Sequence, residues 1–212
     1  MSGRFITFEG GEGTGKSTQV KLLAEYLKAN GIDVVLTKEP GGTPIGQELR
    51  AMLCTGDKDK FDAVAEALLY YADRRIHMQQ KVLPALAKGS WVISDRFADS
   101  TMAYQYYGYN KRVPKQMLEE LYKMTVGDFY PDLTVILDID PEIGLARSIA
   151  QNSTYVVQET RHESREMEFH HNLRAGFLEI AKTADRYAVI DANKTIESLH
   201  DEIVKLVRER LL

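Results

Sequence analysis

The chain has 212 residues, enough for one sizeable hydrophobic core and short for two, so we expect a single domain over residues 1–212. Hydrophobic residues make up 44% and charged residues 27%, and the net charge of -4 with no block of lysine and arginine argues against a nucleic-acid partner. With no membrane-length apolar run, no expected targeting segment and a single cysteine, Cys54, the sequence predicts a cytoplasmic protein without membrane contact.

The first half of the chain alternates short apolar runs with amphipathic segments. The runs "RFITFE" and "IDVVLT" are rich in β-branched residues and predict two buried strands. Between them, residues 16–30 carry apolar side chains at helical spacing, and Gly31 is well placed to end that helix. A loop rich in glycine and proline follows, then a short helix over 47–53 and a long helix from about 62 to 87, bent near Pro84.

The second half repeats this alternation. The runs "WVISD" and "LTVILD" predict strands that both end on aspartate, and "YAVID" predicts a last strand. Asp140 followed by Pro141 marks the start of a helix, the polar stretch 151–160 is expected to be mobile, and helices are predicted over 164–184 and 196–211. Because strands separated by helices pair in parallel through right-handed crossovers, the sequence predicts a three-layer α/β domain.

The stretch "GGEGTGKS" is the strongest functional motif. Gly10, Gly15, Lys16 and Ser17 match G-x-x-x-x-G-K-[ST], directly after a predicted strand and before a predicted helix. In such a loop the backbone N–H groups bind phosphates, the lysine reaches the β- and γ-phosphates, and the serine hydroxyl holds Mg²⁺. A turn with a purely structural role is the alternative. The predicted ATP-binding residues of the loop are Gly10, Gly11, Glu12, Gly13, Thr14, Gly15, Lys16 and Ser17.

A phosphate loop is compatible with several classes of protein. The N-K-x-D and D-x-x-G motifs of GTPases are missing from the sequence, and motor or transport ATPases are normally larger. Two classes remain. One is a small kinase, whose phosphate acceptor would bind at the carboxyl edge of the sheet. The other is a P-loop switch or regulatory ATP-binding module without a small acceptor.

The stretch "SDRFADSTMAYQ" places polar residues at that edge. Asp95 is positioned to hold Mg²⁺ through water, and the fork of Arg96 could bind a phosphate. Ser100 and Tyr104 are four residues apart, so they share one face of a short predicted helix. The alternative is a helix cap at Asp99 beside a local ion pair.

Two further clusters point to an acceptor. In "LLYYADRR", Tyr70 and Arg74 lie one helical turn apart and could stack on a planar base and hydrogen-bond its carbonyl edge. In "KEPGGTPIGQELR", a glycine-rich loop after the second strand leads to Arg50. The alternatives are simple packing for the first cluster and an ordinary surface connection for the second.

Together with the phosphate loop, these clusters and the stretches "GDFYPDLTVILDIDPEIGLAR" and "FHHNLRAGFLEIA" resemble thymidylate kinases in order and spacing, from about Phe5 to Asp191. The resemblance implies transfer of the γ-phosphate of ATP to dTMP with Mg²⁺, giving dTDP for dTTP biosynthesis. It implies a P-loop kinase fold with a five-stranded parallel sheet flanked by helices, a mobile lid over about 148–163, and a homodimer. We expect the dimer to form partly through the helix that begins near residue 62. A kinase for another small acceptor is the main alternative.

The resemblance also implies roles for residues of this sequence. Glu12 would bind the 3′-hydroxyl of the acceptor sugar, and Tyr104 would crowd a ribose 2′ position and so favour deoxynucleotides. Tyr70 would lie on the thymine face and Arg74 at its carbonyl edge. Thr101 and Gln105 would line the base, and Arg50 and Arg96 would bind the acceptor phosphate. The substrate-binding set is Glu12, Glu39, Arg50, Tyr70, Arg74, Arg96, Ser100, Thr101, Tyr104 and Gln105.

The sequence departs from the family at two points. Tyr70 stands where the family often has phenylalanine. The predicted lid is poor in arginine, and Thr160 precedes Arg161 where relatives have aspartate.

Phosphoryl transfer builds charge that a mobile cation must stabilise. The variable loop positions 11–14 contain no arginine, so we expect the bacterial type of thymidylate kinase, with the catalytic arginine in the lid. Arg161 is the predicted residue, and Arg147, expected near the adenine or phosphates of ATP, and Arg165 are the alternatives. The predicted catalytic residues are Lys16, Arg96 and Arg161.

Overall fold

In the computed structural model, the described chain forms a parallel five-stranded sheet in the order β2-β3-β1-β4-β5. The structure describes residues 3–57, 59–152, 161, 163 and 165–212. The strands are β1 (Phe5–Glu9), β2 (Val34–Lys38), β3 (Trp91–Asp95), β4 (Leu133–Asp138) and β5 (Tyr187–Asp191). Each coincides within two residues with a strand predicted from an apolar run, and the predicted α/β class is confirmed.

Helices connect the strands and cover both faces of the sheet. They are α1 (Lys16–Ala29), α2 (Pro44–Cys54), α3 (Ala63–His77), α4 (Leu83–Ala87), α5 (Ala98–Thr101), α6 (Lys115–Thr125), α7 (Pro141–Asn152), α8 (Met167–Ala181) and α9 (Ile196–Leu211). Two π-helical segments, Met78–Val82 and Met102–Gly108, follow α3 and α5 without a break. None of the described helices has the length and apolarity needed to cross a membrane.

The alternation of side chains along β1 divides the core into two layers. Ile6 and Phe8 point to one face, where they pack in a cluster with apolar residues of α1 and α9 such as Leu23 and Ile203. Phe5 points to the other face and packs with residues of β3, α4 and the first π-helical segment. All of these side chains are buried, and each contributes about 1.5–3 kcal/mol to folding. The three-layer arrangement follows from this two-sided burial.

The predicted bend in the long helix lies slightly before Pro84. The α-helix ends at His77, a π-helical turn spans Met78–Val82, and α4 begins at Leu83. Proline has no N–H to bond the carbonyl four residues earlier, so the helix changes its hydrogen-bond pattern before Pro84. Sequence spacing located the irregularity but not its π-helical form.

Helix α6 was not predicted. Its residues 115–125 are mostly exposed, and Leu118 is its only fully buried residue, although Met117, Leu121 and Tyr122 pack partly buried on the same side. The preceding Pro114 was an available start signal. Helix α8 begins at Met167, three residues after the predicted start, and α2 begins at Pro44, three residues before its predicted start, because Thr43 caps it.

The predicted mobile lid lies mostly outside the described residues. Helix α7 extends through Asn152, so residues 148–152 are helical. Residues 153–160, 162 and 164 are not described, whereas Arg161 and Glu163 are.

Candidate active site

The phosphate loop connects β1 to α1 and is pressed against β4 and α7. Gly10 and Gly13 have positive φ angles of 132° and 65°. A β-carbon on Gly10 would overlap the carbonyl oxygen of Leu137, and one on Gly13 would overlap that of Gly144. Both positions therefore require glycine, because of the positive φ angle and because no β-carbon would fit. The glycines of the motif thus give the loop its shape and also let it pack closely against β4 and α7.

Lys16 lies inside this loop. Its ammonium group donates to the carbonyl oxygens of Gly10 at 3.1 Å and Gly11 at 2.5 Å. Burial, and then the nearby Arg96 guanidinium, lower the pKa of Lys16 to about 8. The loop thus concentrates positive charge where phosphates are expected, and that charge weakens as the pH rises through about 8.

Ser17 and Asp95 bring two oxygen donors together at the start of α1 and the end of β3. The hydroxyl of Ser17 donates to Oδ2 of Asp95 at 2.5 Å. Side-chain oxygens are the ligands that hard divalent cations prefer. In the described part of the chain, no group of three or more His, Cys, Asp or Glu residues could hold a metal ion. A divalent cation bound here would therefore have few oxygen ligands from the protein, and phosphate oxygens of the bound nucleotide would complete its coordination.

A cavity of about 120 Å³ opens beside the phosphate loop. All ten of the predicted substrate-binding residues line it, together with Pro40, Cys54 and Phe97. The phosphate loop, α2, α3 and the turn after β3 each contribute, so residues far apart in sequence meet here. The ten are Glu12, Glu39, Arg50, Tyr70, Arg74, Arg96, Ser100, Thr101, Tyr104 and Gln105.

A charged cluster closes the end of the cavity next to the phosphate loop. The hydroxyl of Tyr104 donates to the carboxylate of Glu12, at 2.7 Å to Oε1 and 2.5 Å to Oε2. Burial raises the pKa of Tyr104 well above its ordinary value, so the hydroxyl stays protonated and keeps donating. Arg96, with a φ of 72°, donates to Tyr104 at 2.9 Å and to Gly10 and Ser100 at 3.0 Å. Glu12 is therefore directed into the cavity, away from the phosphate-binding groups of its own loop.

Arg74 forms the opposite end of the cavity, where it is almost fully buried. Its Nε donates to Glu39 at 2.9 Å, and its Nη2 donates to Thr101 at 2.9 Å and to the carbonyl oxygen of Phe97 at 3.1 Å. Its Nη1 has no partner among the described residues. Arg74 is thus held rigidly with one donor left for another molecule.

Glu39 lines the same end of the cavity and has two side-chain partners. Besides Arg74 it accepts from Nδ1 of His77 at 2.7 Å, and Nε2 of His77 lies 2.7 Å from the Thr37 hydroxyl. Glu39 was predicted as a substrate-binding residue; it lines the cavity and also holds Arg74 in place. His77 was not predicted; it lies one helical turn after Arg74 on α3, which was the available signal.

Arg147 and Arg161, two of the candidate lid arginines, contact different parts of the protein. Arg147 donates to the carbonyl oxygen of Ala192 and to the side chain of Asn193, both at 3.2 Å, in the loop after β5. Arg161 is buried, and it donates to the carbonyl oxygens of Leu53 at 3.1 Å and Asp57 at 3.0 Å.

Arg161 also forms an ion pair with Glu66, and Arg165 pairs with Asp59 at 2.8 Å. These contacts involve α3 and the segment after α2, and Glu66 also accepts from Gln105 of the cavity wall. The structure thus brings Arg161 close to the acceptor cavity rather than into contact with the phosphate loop.

Sequence reasoning also missed Glu9, the last residue of β1. Its buried carboxylate accepts from the backbone N–H of Phe97 at 2.8 Å and from the hydroxyl of Ser100 at 2.5 Å. Burial, and then the neighbouring carboxylate of Asp99, raise the pKa of Glu9 to about 8. Its position directly before the phosphate loop was the only signal in the sequence.

Known proteins resemble the chain over nearly its whole length. Residues 8–203 match the family model described as thymidylate kinase. The chain is 46% identical over 210 residues to the thymidylate kinase of Bradyrhizobium sp. (strain ORS 278), covering 99% of this chain and 91% of that relative. It is 45% identical over 210 residues to the thymidylate kinase of Caulobacter vibrioides, covering 99% and 98%. A crystal structure of thymidylate kinase from Ehrlichia chaffeensis matches with a TM-score of 0.77 at 35% identity, over 98% of this chain and 99% of that one.

The lowered pKa of Lys16 predicts a pH-dependent affinity for ATP. Lys16 is protonated below about pH 8 and neutral above it, so the loop loses a positive charge as the pH rises. Calorimetric titration with a non-hydrolysable ATP analogue should show the affinity falling about tenfold from pH 7 to pH 9. Glu9→Gln is the control, because it removes the other group with a pKa near 8. An affinity that is flat over this range, or a decline that disappears in Glu9→Gln, would contradict the assignment to Lys16.

Proposed function

The chain belongs to the thymidylate kinase family and phosphorylates dTMP to dTDP with ATP, a step in dTTP biosynthesis, and on this basis we propose how its residues divide the work. One observation carries the proposal. Glu12 belongs to the phosphate loop and also lines the cavity beside it. A single carboxylate therefore borders both sites, and the two substrates meet next to it. In-line transfer requires this juxtaposition of donor and acceptor.

The phosphates of ATP bind to the backbone N–H groups of residues 10–17 and to Lys16. The buried ammonium group and the amino end of α1 both favour negative charge there. Arg147 lies near the adenine or the phosphates of ATP. Its hydrogen bonds to Ala192 and Asn193, in the loop after β5, support this position.

ATP-dependent kinases generally need a divalent metal ion, and we propose Mg²⁺ for this one. Ser17 would hold it through its hydroxyl and Asp95 through water. The fit is supported by the 2.5 Å approach of the Ser17 hydroxyl to an Asp95 carboxylate oxygen, because it provides two oxygen donors at one point. When bound, the ion neutralises charge on the phosphates.

The thymine base binds at the Arg74 end of the cavity. Nη1 of Arg74 is a buried donor and Oε1 of Gln105 a buried acceptor, and neither has a partner in the described chain. Thymine offers the complement, a carbonyl O4 beside an N3–H. Cytosine offers the reverse, an amino group beside a bare N3, so this pair disfavours it. Tyr70 stacks on the ring, and Thr101 lines its edge.

The sugar and phosphate of dTMP lie toward the phosphate loop. Glu12 accepts a hydrogen bond from the 3′-hydroxyl, and Tyr104, bonded to Glu12, occupies the space a ribose 2′-hydroxyl would need. Arg96 and Arg50 bind the acceptor phosphate, with Ser100 beside them.

Lys16, Arg96 and an arginine of the lid stabilise the phosphoryl group during transfer. Residues 11–14 contribute no arginine, and Arg161 is the first candidate for the lid. Its ion pair with Glu66 would have to open, at a cost of about 3–5 kcal/mol if Glu66 were left without a partner. Gln105 and Tyr109 donate to the same carboxylate and reduce this cost.

The proposal also covers the domain organisation, cellular location and oligomeric state of the protein. Residues 1–212 form a single domain, in which the first and last helices, α1 and α9, pack in one core cluster. The protein works in the cytoplasm, which suits its one free cysteine, Cys54, and its nucleotide substrates. It forms a homodimer partly through α3, where Leu68 is 50% and Val64 38% exposed.

The role of Glu12 can be tested with dTMP that lacks its 3′-hydroxyl. A hydrogen bond to a charged group is worth about 1.5–3 kcal/mol, so the wild type should lose about 10- to 150-fold in kcat/KM with this analogue. In Glu12→Ala the penalty should shrink to a few-fold. Glu48→Ala, an exposed glutamate on α2, is the matched control and should keep the full penalty. Equal penalties in Glu12→Ala and the wild type would exclude the contact.

Steady-state kinetics can identify the lid arginine. Arg161→Ala should lower kcat by about 10³-fold or more while the KM for dTMP barely changes, because the cation acts on the transition state. Arg161→Lys should recover little, since lysine lacks the planar fork. Retention of more than a tenth of kcat in Arg161→Ala, with a large loss in Arg147→Ala, would assign the role to Arg147.

Light scattering can test the dimer. At micromolar concentration the wild type should have twice the chain mass of 24.0 kDa. Leu68→Glu should lower the mass toward that of one chain, because it buries a charge in the contact. Met124→Glu, at a 77% exposed site on α6, should leave the mass unchanged. A wild-type mass of one chain would refute the proposal.

A further inference from the structure

Glu66 is a fully buried carboxylate on α3 that neither the sequence motifs nor the proposed roles explain. Its Oε2 accepts from Nε2 of Gln105 at 3.0 Å and from the hydroxyl of Tyr109 at 3.0 Å. Arg161 provides the opposite charge through an ion pair. Burying a carboxylate is costly unless it is paired and hydrogen-bonded, and this one has three partners from two separate parts of the chain.

Glu66 determines which way the side-chain amide of Gln105 faces. An amide has one donor group and one acceptor oxygen, and either could face a given neighbour. A carboxylate accepts only, so the group that faces Glu66 must be the NH₂ group. The oxygen Oε1 is therefore on the other branch. Gln105 lines the acceptor cavity, and Oε1 has no partner among the described residues although the side chain is fully buried.

We propose that Glu66 is a positioning residue for base selection: by accepting from the amide nitrogen of Gln105, it directs the amide oxygen toward the acceptor base. That oxygen accepts from a ring N–H and repels a bare ring nitrogen. Glu66 thereby selects pyrimidines that carry N3–H over cytosine without touching the base. The inference rests on the proposed placement of the base between Arg74 and Gln105.

Arg74 at the other side of the base is held in the same way. The carboxylate of Glu39 accepts from its Nε and leaves Nη1 without a partner in the described chain. Two buried carboxylates thus each fix one recognition group, Glu39 a donor and Glu66 an acceptor. The order of donor and acceptor along the base edge is set by these two carboxylates, of which Glu39 also lines the cavity.

Replacing Glu66 with glutamine removes the restriction on the orientation of the Gln105 amide. The side chain of Glu66→Gln can donate as well as accept, so the amide of Gln105 is able to rotate by 180° and present Nε2 to the base. Nε2 would meet the N3–H of thymine as donor against donor, but it would pair with the bare N3 of cytosine. The preference for dTMP should therefore narrow while the phosphate loop is unaffected.

The experiment is a double-mutant cycle that measures kcat/KM for dTMP and dCMP in Glu66→Gln, Gln105→Ala and the double variant. Glu66→Gln should lower the dTMP/dCMP ratio of kcat/KM by about three- to tenfold, through the KM for dTMP, with the KM for ATP unchanged. In the Gln105→Ala background the same change should have no further effect on the ratio, because the group it orients is gone. Glu119→Gln, at an exposed position on α6, is the control and should leave the ratio unchanged.

The outcomes separate this inference from the proposed function. If Gln105→Ala leaves both the ratio and the KM for dTMP unchanged, the base does not bind at Gln105 and the proposed placement fails. If Gln105→Ala lowers the ratio but Glu66→Gln lowers it equally with and without Gln105, Glu66 is only structural and the inference fails.

A second variant covers the case in which Glu66→Gln does not fold. Replacing both partners of the buried pair, as Glu66→Met with Arg161→Met, avoids leaving a lone charge and is often tolerated. Any loss of kcat that comes from Arg161 affects both substrates and cancels in the ratio. A narrowed dTMP/dCMP ratio supports the role of Glu66, and an unchanged ratio overturns it.

Discussion

The parallel pairing of β1 with β3 is the constraint on which the site depends. Phe8 lies opposite Asp95, so the two strands end side by side and the chain leaves both at the same edge. The backbone N–H of Arg96 bonds the carbonyl oxygen of Phe8 at 2.9 Å, which extends the pairing one residue beyond β3. The phosphate loop and the turn after β3 therefore begin next to each other. The meeting of Ser17 with Asp95, and of Glu12 with Arg96, follows from this register.

The second organising feature is a set of buried carboxylates in and around the wall of the cavity. Glu9 holds the turn after β3, Glu39 holds Arg74, and Glu66 holds Gln105. Each is desolvated, and each is stabilised by several donors rather than by one. Such groups cost stability when a partner is lost, which makes their geometry strict. Rigid support of this kind lets a small cavity keep a fixed order of donors and acceptors.

The sequence predicted the sheet, the phosphate loop and the residues that line the cavity. The strands follow from short apolar runs and the loop from glycine spacing, whereas the full set of cavity residues was predicted from the resemblance to thymidylate kinases. The supporting residues Glu9, Glu66 and His77 were not predicted, because their significance lies in partners 38 to 91 positions away, as with Glu9 and Ser100. The position of Arg161 could not be predicted for the same reason. Its buried contacts with α2 and α3 are tertiary and leave no local pattern.

The sequence predicts a short helix that carries Ser100 and Tyr104 on one face, and the segment Met102–Gly108, which includes Tyr104, is π-helical. In a π-helical turn each hydrogen bond spans one more residue than in an α-helical turn, and such turns occur frequently at functional sites. The extra residue changes the angular position of everything that follows it, including Tyr109, which reaches Glu66. In lineages that share this architecture, gain or loss of one residue here would rotate the end of the segment and alter the wall of the cavity at once. Changes of acceptor could therefore evolve through length in this segment, with the sheet and the phosphate loop left intact.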